Sequence, residues 1–274
     1  MKPNLERITV WMGLLVSVLT LFTAASGLFN PSIYEDIVVS GNIPQVLRWG
    51  SMAQDIFSLG VALLLAISTI LFLVRGGNKL FLLIVGLLSY LFYAYALYSI
   101  QGMYSAHALL YLVLLGASLY AMVFGIVALK KMASMVPSLA KGARWSAIGF
   151  LALLLVSLVP IWLSQVALDI ANRYPGNTYG VYVLDLGIVF PAIAIIIWLL
   201  ARANPFGILL AGVALLKAFT VCASVALGEW FIPTFGKLGE MNGFLFALFG
   251  VLGLIALGIT ALFFRSLRFL SKKP

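Results

Sequence analysis

Charged residues are scarce in this sequence, since Asp, Glu, Lys and Arg together make up 9% of its 274 residues. Soluble globular domains contain about 25% charged residues, so the composition excludes a pair of ordinary soluble domains. Hydrophobic residues, in contrast, make up 64% of the chain. The sequence therefore predicts a protein that lies mostly inside a lipid bilayer.

Cysteine and histidine, the residues of many metal and catalytic sites, occur once each, as Cys222 and His107. A single cysteine excludes an internal disulfide and a cluster of thiolate ligands. Zinc needs three or four protein ligands, so His107 is predicted to be an ordinary interfacial residue. The chain also lacks a P-loop and an HExxH sequence. We therefore favour a protein that is not an enzyme, with no catalytic residues, no metal site and no cofactor.

Long apolar runs dominate the rest of the chain, and a transmembrane helix needs about 20 such residues. The predicted spans are residues 8–28, 53–74, 80–101, 106–129, 145–167, 181–201, 206–228 and 243–264. The loops at 29–52 and 229–242 have room for no more than a turn or two of helix. We predict an all-α, polytopic transmembrane helix bundle of about eight spans, with residues 1–274 in one integral membrane domain. Small residues at 24–27 resemble a signal-peptide cleavage site, which leaves open whether residues 1–26 are removed.

Basic residues are distributed unevenly between the two sides of these spans. If the N-terminus is cytoplasmic, cytoplasmic segments hold Lys2, Arg7, Arg75, Lys79, Lys130, Lys131, Lys141, Arg144, Arg202, Arg265, Arg268, Lys272 and Lys273. Cytoplasmic loops of membrane proteins carry an excess of Lys and Arg, so the pattern predicts that both termini are cytoplasmic. The net charge of +9 then matches the anionic lipids of the inner leaflet. Nucleic acid is not expected as a partner.

Two stretches of the sequence, Asp55–Tyr90 and Asp185–Lys217, follow a similar plan. Each has an acid near the start of a span, then an apolar run, an arginine (Arg75 or Arg202), a turn, and a second apolar run. We interpret them as parts of a 4+4 internal repeat whose halves are parallel and related by an axis along the membrane normal. The predicted halves and the basic loop that joins them are residues 1–129, 144–264 and 130–143.

A resemblance to other proteins rests on four segments of the sequence. They are YLFYAYALY (Tyr90–Tyr98), YLVLLGASLYAMV (Tyr111–Val123), LDLGIVFPA (Leu184–Ala192) and ARANPFGILLAGVALLK (Ala201–Lys217). The chain resembles a group of prokaryotic multi-pass membrane proteins, of about eight spans, without assigned function. The resemblance implies the same fold class and a location in the cell membrane of a bacterium or archaeon. It implies no activity and no site residues.

Lys217 is the most informative single residue of the chain. It lies near the middle of the span 206–228, about 16 Å from either end at about 1.5 Å per residue. A lysine at the bilayer centre costs about 2.5–3.5 kcal/mol on insertion scales, and such residues usually face a partner or a water-filled cavity. We therefore predict a binding cavity that opens outward. Its candidate residues are Lys217, Asp185, Gln165, Pro191, Tyr90, Tyr93 and Asp55.

Each of these candidates also has a structural explanation. Lys217 could form a buried ion pair with Asp185. Asp55 and Asp185 lie in the first turns of their predicted spans, where free backbone amides and the helix dipole favour an acid. Pro191 frees a carbonyl near residue 187, and kinks of this kind occur in ordinary spans as well as in transporters. The tyrosines are also typical of packing and of anchoring at the membrane interface.

Two classes of function remain open from the sequence. The favoured one is a transporter-like protein that binds a small or amphipathic solute near Lys217 and moves one half of the bundle against the other. The alternative is a non-catalytic membrane scaffold or subunit, or a lipid-binding protein. The expected partners are membrane lipids, a small-molecule or lipid ligand, and either a second copy of the chain or a partner subunit.

Overall fold

The computed structural model describes residues 4–30, 32–41 and 43–269. Within these ranges eight helices are long and apolar enough to cross a membrane, which confirms an all-α, multi-pass fold. The helices are α1 (Leu5–Phe29), α2 (Ser32–Val39), α3 (Gln45–Arg75), α4 (Asn78–Ile100), α5 (Ala108–Met132), α6 (Lys141–Asn172), α7 (Tyr179–Leu184), α8 (Phe190–Ala201), α9 (Pro205–Gly236) and α10 (Gly243–Ser266). Helix α2 is a short element between the first two spans, and α7 and α8 form one span. Lys2, Lys272 and Lys273 of the orientation prediction lie outside the described residues.

Helix α1 shows how the sequence divides large and small side chains in this bundle. Its exposed face carries large apolar side chains at helical spacing, namely Trp11, Leu15, Val18 and Phe22. Its buried face is built largely of small residues, with valine as the largest, namely Thr9, Val10, Gly13, Val16, Ser17, Thr20, Thr23, Ala24 and Gly27. Lipid tails are as apolar as leucine, so membrane helices gain by close packing of small residues rather than by hiding large ones. The large face of α1 is therefore suited to lipid and the small face to the protein interior.

Helices α4 and α9 run side by side at the centre of the bundle. Leu216 of α9 packs on Gly86 of α4, and Leu82 of α4 packs on Gly212 of α9. A Cβ atom at Gly86 would clash with the Leu216 side chain, including its Cβ atom at 2.8 Å, so this approach requires glycine. Leu82 precedes Gly86, and Gly212 precedes Leu216, which means that the two helices run in the same direction. In a bundle whose successive spans alternate in direction, the third and seventh spans are also expected to run in the same direction.

The eight spans form two rings of four helices. In the first ring, α1 packs on α3, α3 on α4, α4 on α5, and α5 returns to α1. In the second ring, α6 packs on α8, α8 on α9, α9 on α10, and α10 returns to α6. Helix α9 also packs on α3 and α4, which joins the two rings. The repeat, its half boundaries and the orientation of the termini stay predictions.

Two helices extend well beyond their predicted spans. Helix α3 begins at Gln45, directly after Pro44, and α9 continues to Gly236, where Lys237 adopts a left-handed conformation with φ 50°. Hydropathy marks the part of a helix that suits the bilayer, whereas the helix itself continues beyond that part, in α9 even past Pro233. Asp55 consequently lies almost three turns inside α3. Its interpretation as an acid in the first turn of a helix is wrong.

The two ends of the bundle differ in charge. One end, called the basic end below, gathers the termini of successive helices that carry Arg7, Arg75, Lys79, Lys130, Lys131, Lys141, Arg144, Arg202 and Arg265. There a two-residue strand β1 (Pro137–Ser138) pairs antiparallel with β2 (Arg268–Phe269), which fastens the predicted loop 130–143 to the end of α10. The opposite side of the bundle is called the far end.

Candidate functional site

A cavity of about 900 Å³ lies between the two rings of helices. Residues from every span except α1 line it. Four of the predicted binding residues are in its wall, namely Lys217, Asp185, Gln165 and Tyr93. The other three, Pro191, Tyr90 and Asp55, are not among the lining residues. The cavity thus brings together the central lysine and its predicted acidic neighbour.

The wall of this cavity changes character along its length. The part toward the far end contains polar side chains, namely Gln54, Gln101, Gln165, Asp185, Lys217 and Glu229. The part toward the basic end is apolar in the described residues, with Met122, Ile126, Leu154, Leu158, Ile193, Ile196, Phe206 and Leu210. Lys217 lies at the boundary between these two parts, which are called the polar half and the apolar half below.

The Lys217 ammonium group is half-buried in this wall. Its Nζ lies 3.7 Å from the centroid of the Tyr93 ring. Among the described residues it has no hydrogen-bond acceptor, and the ion pair found there joins Arg48 and Glu35 instead, at 2.8 Å. A cation over an aromatic ring gains about 0.5–2 kcal/mol. The ring is not a conventional hydrogen-bond acceptor, however, so it does not satisfy the three N–H donors of the ammonium group. The predicted Lys217–Asp185 ion pair is therefore not formed at contact distance.

Asp185 begins a π-helical turn, Asp185–Val189, that joins α7 to α8. In this turn the Phe190 N–H donates to the carbonyl of Asp185, five residues earlier, and Pro191, which has no N–H, follows. The side chain is buried and accepts a hydrogen bond from Trp162 Nε1 at 2.9 Å. Lys217 and Tyr93 both interact electrostatically with the Asp185 side chain. π-helical turns of this kind are frequent at functional sites.

Three predicted cavity residues have other positions. Pro191 is exposed on the outer surface of α8, so its contribution is the π-helical turn before it rather than a side chain in the cavity. Tyr90 turns toward Ser58 of α3 and Ser224 of α9, each 3.3 Å from its hydroxyl oxygen. Because α4 is enclosed on all sides, residues on one broad arc of it still face different helices. Asp55 lies within the first ring.

Several wall residues were not predicted. Trp162 is two residues after Pro160 and three before Gln165, and only its bond to Asp185 identifies it as part of the site. Gln101 donates to the Asn177 carbonyl at 3.1 Å, and this bond joins α4 to the loop before α7 at the rim of the cavity. Polar residues such as these are ordinary near the end of a span, so the sequence contains no signal that distinguishes them.

His107 lies directly before α5 at the far end. Its Nε2 is 3.3 Å from Ser26 Oγ, and partial burial lowers the pKa of His107. Among the residues that the structure describes, no group of three or more His, Cys, Asp or Glu side chains is arranged to hold a metal ion.

Similarity to known proteins is a second source of information about the wall residues. The resemblance to an uncharacterised prokaryotic group stays a prediction, and it assigns no role to any wall residue. Comparison of the chain with protein-family models, with curated proteins and with solved structures finds no match.

Proposed function

We propose that the protein binds an amphipathic molecule with an acidic head group in this cavity and moves it in a transporter-like cycle. The observation that carries the proposal is the Lys217 ammonium, which has no acceptor in the described part of the chain and lies at the boundary between the polar half and the apolar half. The head group would contact Lys217, and the chain would extend along the apolar half toward the basic end.

The acidic head group follows from the hydrogen-bonding needs of Lys217. An ammonium group has three donors, and a buried charge without partners is strongly unfavourable. Asp185 is already bonded to Trp162 and is not in contact with the lysine. A carboxylate or phosphate would supply the missing acceptors through charge-assisted hydrogen bonds, which are about twice as strong as neutral ones.

The apolar half accounts for the rest of the molecule. A volume of about 900 Å³ falls in the range of about 300–1,000 Å³ that is usual for ligand pockets. A lipid chain that enters from the bilayer leaves one apolar environment for another, so the apolar half contributes shape rather than driving force. Selectivity must then come mainly from the polar groups around Lys217.

The position of the cavity between the two rings supports transport over mere storage. In transporters built from repeated halves, one half moves against the other around a site at their interface. The π-helical turn at Asp185–Val189 interrupts a wall helix beside the site and offers a point at which that helix can change its geometry. A lipid-binding scaffold would hold the same ligand without carrying it across the membrane.

Native mass spectrometry with matched amphiphiles tests the proposal. A long-chain fatty acid, its lysophosphatidic counterpart and the alcohol of equal chain length differ in the head group but share an apolar chain. We expect the purified protein to retain the carboxylate or the phosphate and to lose the alcohol. Flux of the retained compound across proteoliposomes then separates transport from storage. Equal retention of all three compounds, or of none, would contradict an acidic-ligand site.

A further inference from the structure

A second buried acid, Asp55, lies in the first ring and has no part in the proposed ligand site. Its side chain is 1% exposed. The Tyr34 hydroxyl donates to its Oδ2 at 2.5 Å, and the Tyr98 hydroxyl lies 2.8 Å from its Oδ1. Gly27 of α1 leaves the space for this arrangement, because a Cβ atom there would lie 2.5 Å from Oδ2.

Within the residues that the structure describes, the surroundings of Asp55 provide hydroxyl groups and no cation. The titratable side chains that face it are Tyr34 from α2, Tyr90, Tyr95 and Tyr98 from α4, and Tyr111 from α5 beyond Tyr34. Helix α1 presents Gly27, and the charged residues of α9, Lys217 and Glu229, are not among its interactions. A buried carboxylate that lacks a cation is costly, and proteins commonly avoid that cost by binding a proton.

Tyr98 gives this network two proton arrangements. Its hydroxyl oxygen lies 2.9 Å from the Ser51 carbonyl as well as 2.8 Å from Asp55 Oδ1, but a phenol has one proton to donate. If that proton points to Ser51, Oδ1 must hold a proton of its own to bond Tyr98. If it points to Asp55, Oδ1 is the acceptor and needs no proton, as in a carboxylate. The two arrangements differ by one proton and require no other atoms to move.

A chain of hydroxyl groups connects Asp55 with the far end. Burial raises the pKa of Tyr34 well above its usual range, so its hydroxyl stays protonated and donates to Asp55. The Tyr111 hydroxyl lies 3.5 Å from that of Tyr34, and Ser105, half-buried in the loop after α4, lies 3.4 Å from Tyr111. On the other side of Asp55, Tyr98 and Ser51 are in the cavity wall.

We propose that Asp55 is a proton-binding site that takes up and releases one proton through these hydroxyl groups, and that its proton is coupled to occupancy of the cavity. Uptake converts the carboxylate and one proton into a carboxylic acid. Each hydroxyl on the way accepts a proton on its oxygen and passes its own proton on. Proton binding at Asp55 requires no ligand, whereas its coupling to occupancy of the cavity rests on the proposed function.

Infrared spectroscopy of the protein in liposomes, without added ligand, tests whether Asp55 binds and releases a proton. We expect a carbonyl band of a protonated carboxylic acid that shifts in heavy water and disappears as the pH rises. The substitution Asp55→Asn should abolish this band, while the matched change at the exposed Asp36, Asp36→Asn, should leave it intact. The substitution Tyr111→Phe should keep the band and slow its exchange in heavy water several-fold.

A band that persists in Asp55→Asn would overturn the proposal, as would a carboxylate signal that does not change with pH. If Asp55→Asn fails to fold, Tyr98→Phe keeps the acid and removes one hydrogen-bond partner, so the band should shift in frequency; an unchanged frequency would also overturn it.

Coupling is then measured with an alkyl sulfonate, whose head group stays charged throughout. Its retention should vary with pH in the wild type and much less in Asp55→Asn, and equal pH profiles would refute the coupling. Absence of sulfonate binding would reject the ligand site while the band result stands.

Discussion

Replacement of Lys217 by methionine should have opposite effects on ligand binding and on stability. Loss of a charge-assisted hydrogen bond removes about 1.5–3 kcal/mol, so retention of an acidic amphiphile should weaken about 10- to 100-fold. The ligand-free protein should unfold less readily, by about 1–2 kcal/mol, because a half-buried lysine with no acceptor among the described residues is replaced by an apolar side chain of similar length. Native mass spectrometry and thermal unfolding in detergent measure the two effects.

A matched control separates the site from the overall charge. The substitution Lys237→Met removes the same charge from an exposed position at the end of α9, and it should change neither quantity. The substitution Lys217→Arg keeps the charge and should keep part of the binding. If Lys217→Met instead destabilised the protein and left binding unchanged, Lys217 would be a structural residue.

Replacement of Gly27 by alanine should cause a large loss of stability for so small a substitution. The new Cβ would lie 2.5 Å from Asp55 Oδ2 and 2.9 Å from the Tyr34 hydroxyl oxygen, so the acid and the phenol must separate. Overpacking costs about 1–3 kcal/mol, and a buried acceptor without its donor costs about 1–3 kcal/mol more. We expect the free energy of unfolding to fall by about 2–5 kcal/mol, measured as a lower midpoint of thermal unfolding.

The control for this prediction is Gly60→Ala on the exposed face of α3, where an added Cβ has nothing within 4 Å. Alanine is the better helix former, so this variant should be as stable as the wild type or slightly more so. Equal midpoints for the Gly27 and Gly60 variants would show that α1 and α3 can shift apart at little cost. The close packing around Asp55 would then contribute nothing to the stability of the protein.

The sequence predicts the fold well because the bilayer imposes a strong and local rule. Every backbone polar group in lipid has to be satisfied within a helix or barrel, so apolar runs of the right length identify the spans. The same rule explains why Lys217 could be found, since a charge in the middle of an apolar run is conspicuous without any knowledge of its neighbours.

The composition of the site is harder to predict because it depends on which helices meet. Tyr90 and Tyr93 are three residues apart on α4, yet one contacts Ser58 and the other Lys217. Asp55 resembled a first-turn acid because hydropathy placed the start of its span near residue 53, whereas the helix begins at Gln45. The sequence does not distinguish the residues of the apolar half, because hydrophobic residues make up 64% of the chain.

The central claim is that the cavity holds an amphipathic molecule with its head at Lys217 and its chain toward the basic end. Photo-crosslinking with a fatty acid that carries a diazirine at the end of its chain tests this claim most directly. We predict crosslinks to the apolar half, at residues such as Leu154, Phe206 and Leu210, that an excess of unlabelled fatty acid suppresses. Crosslinks confined to exposed positions on the outside of the bundle, such as Val156 and Leu254, would contradict it.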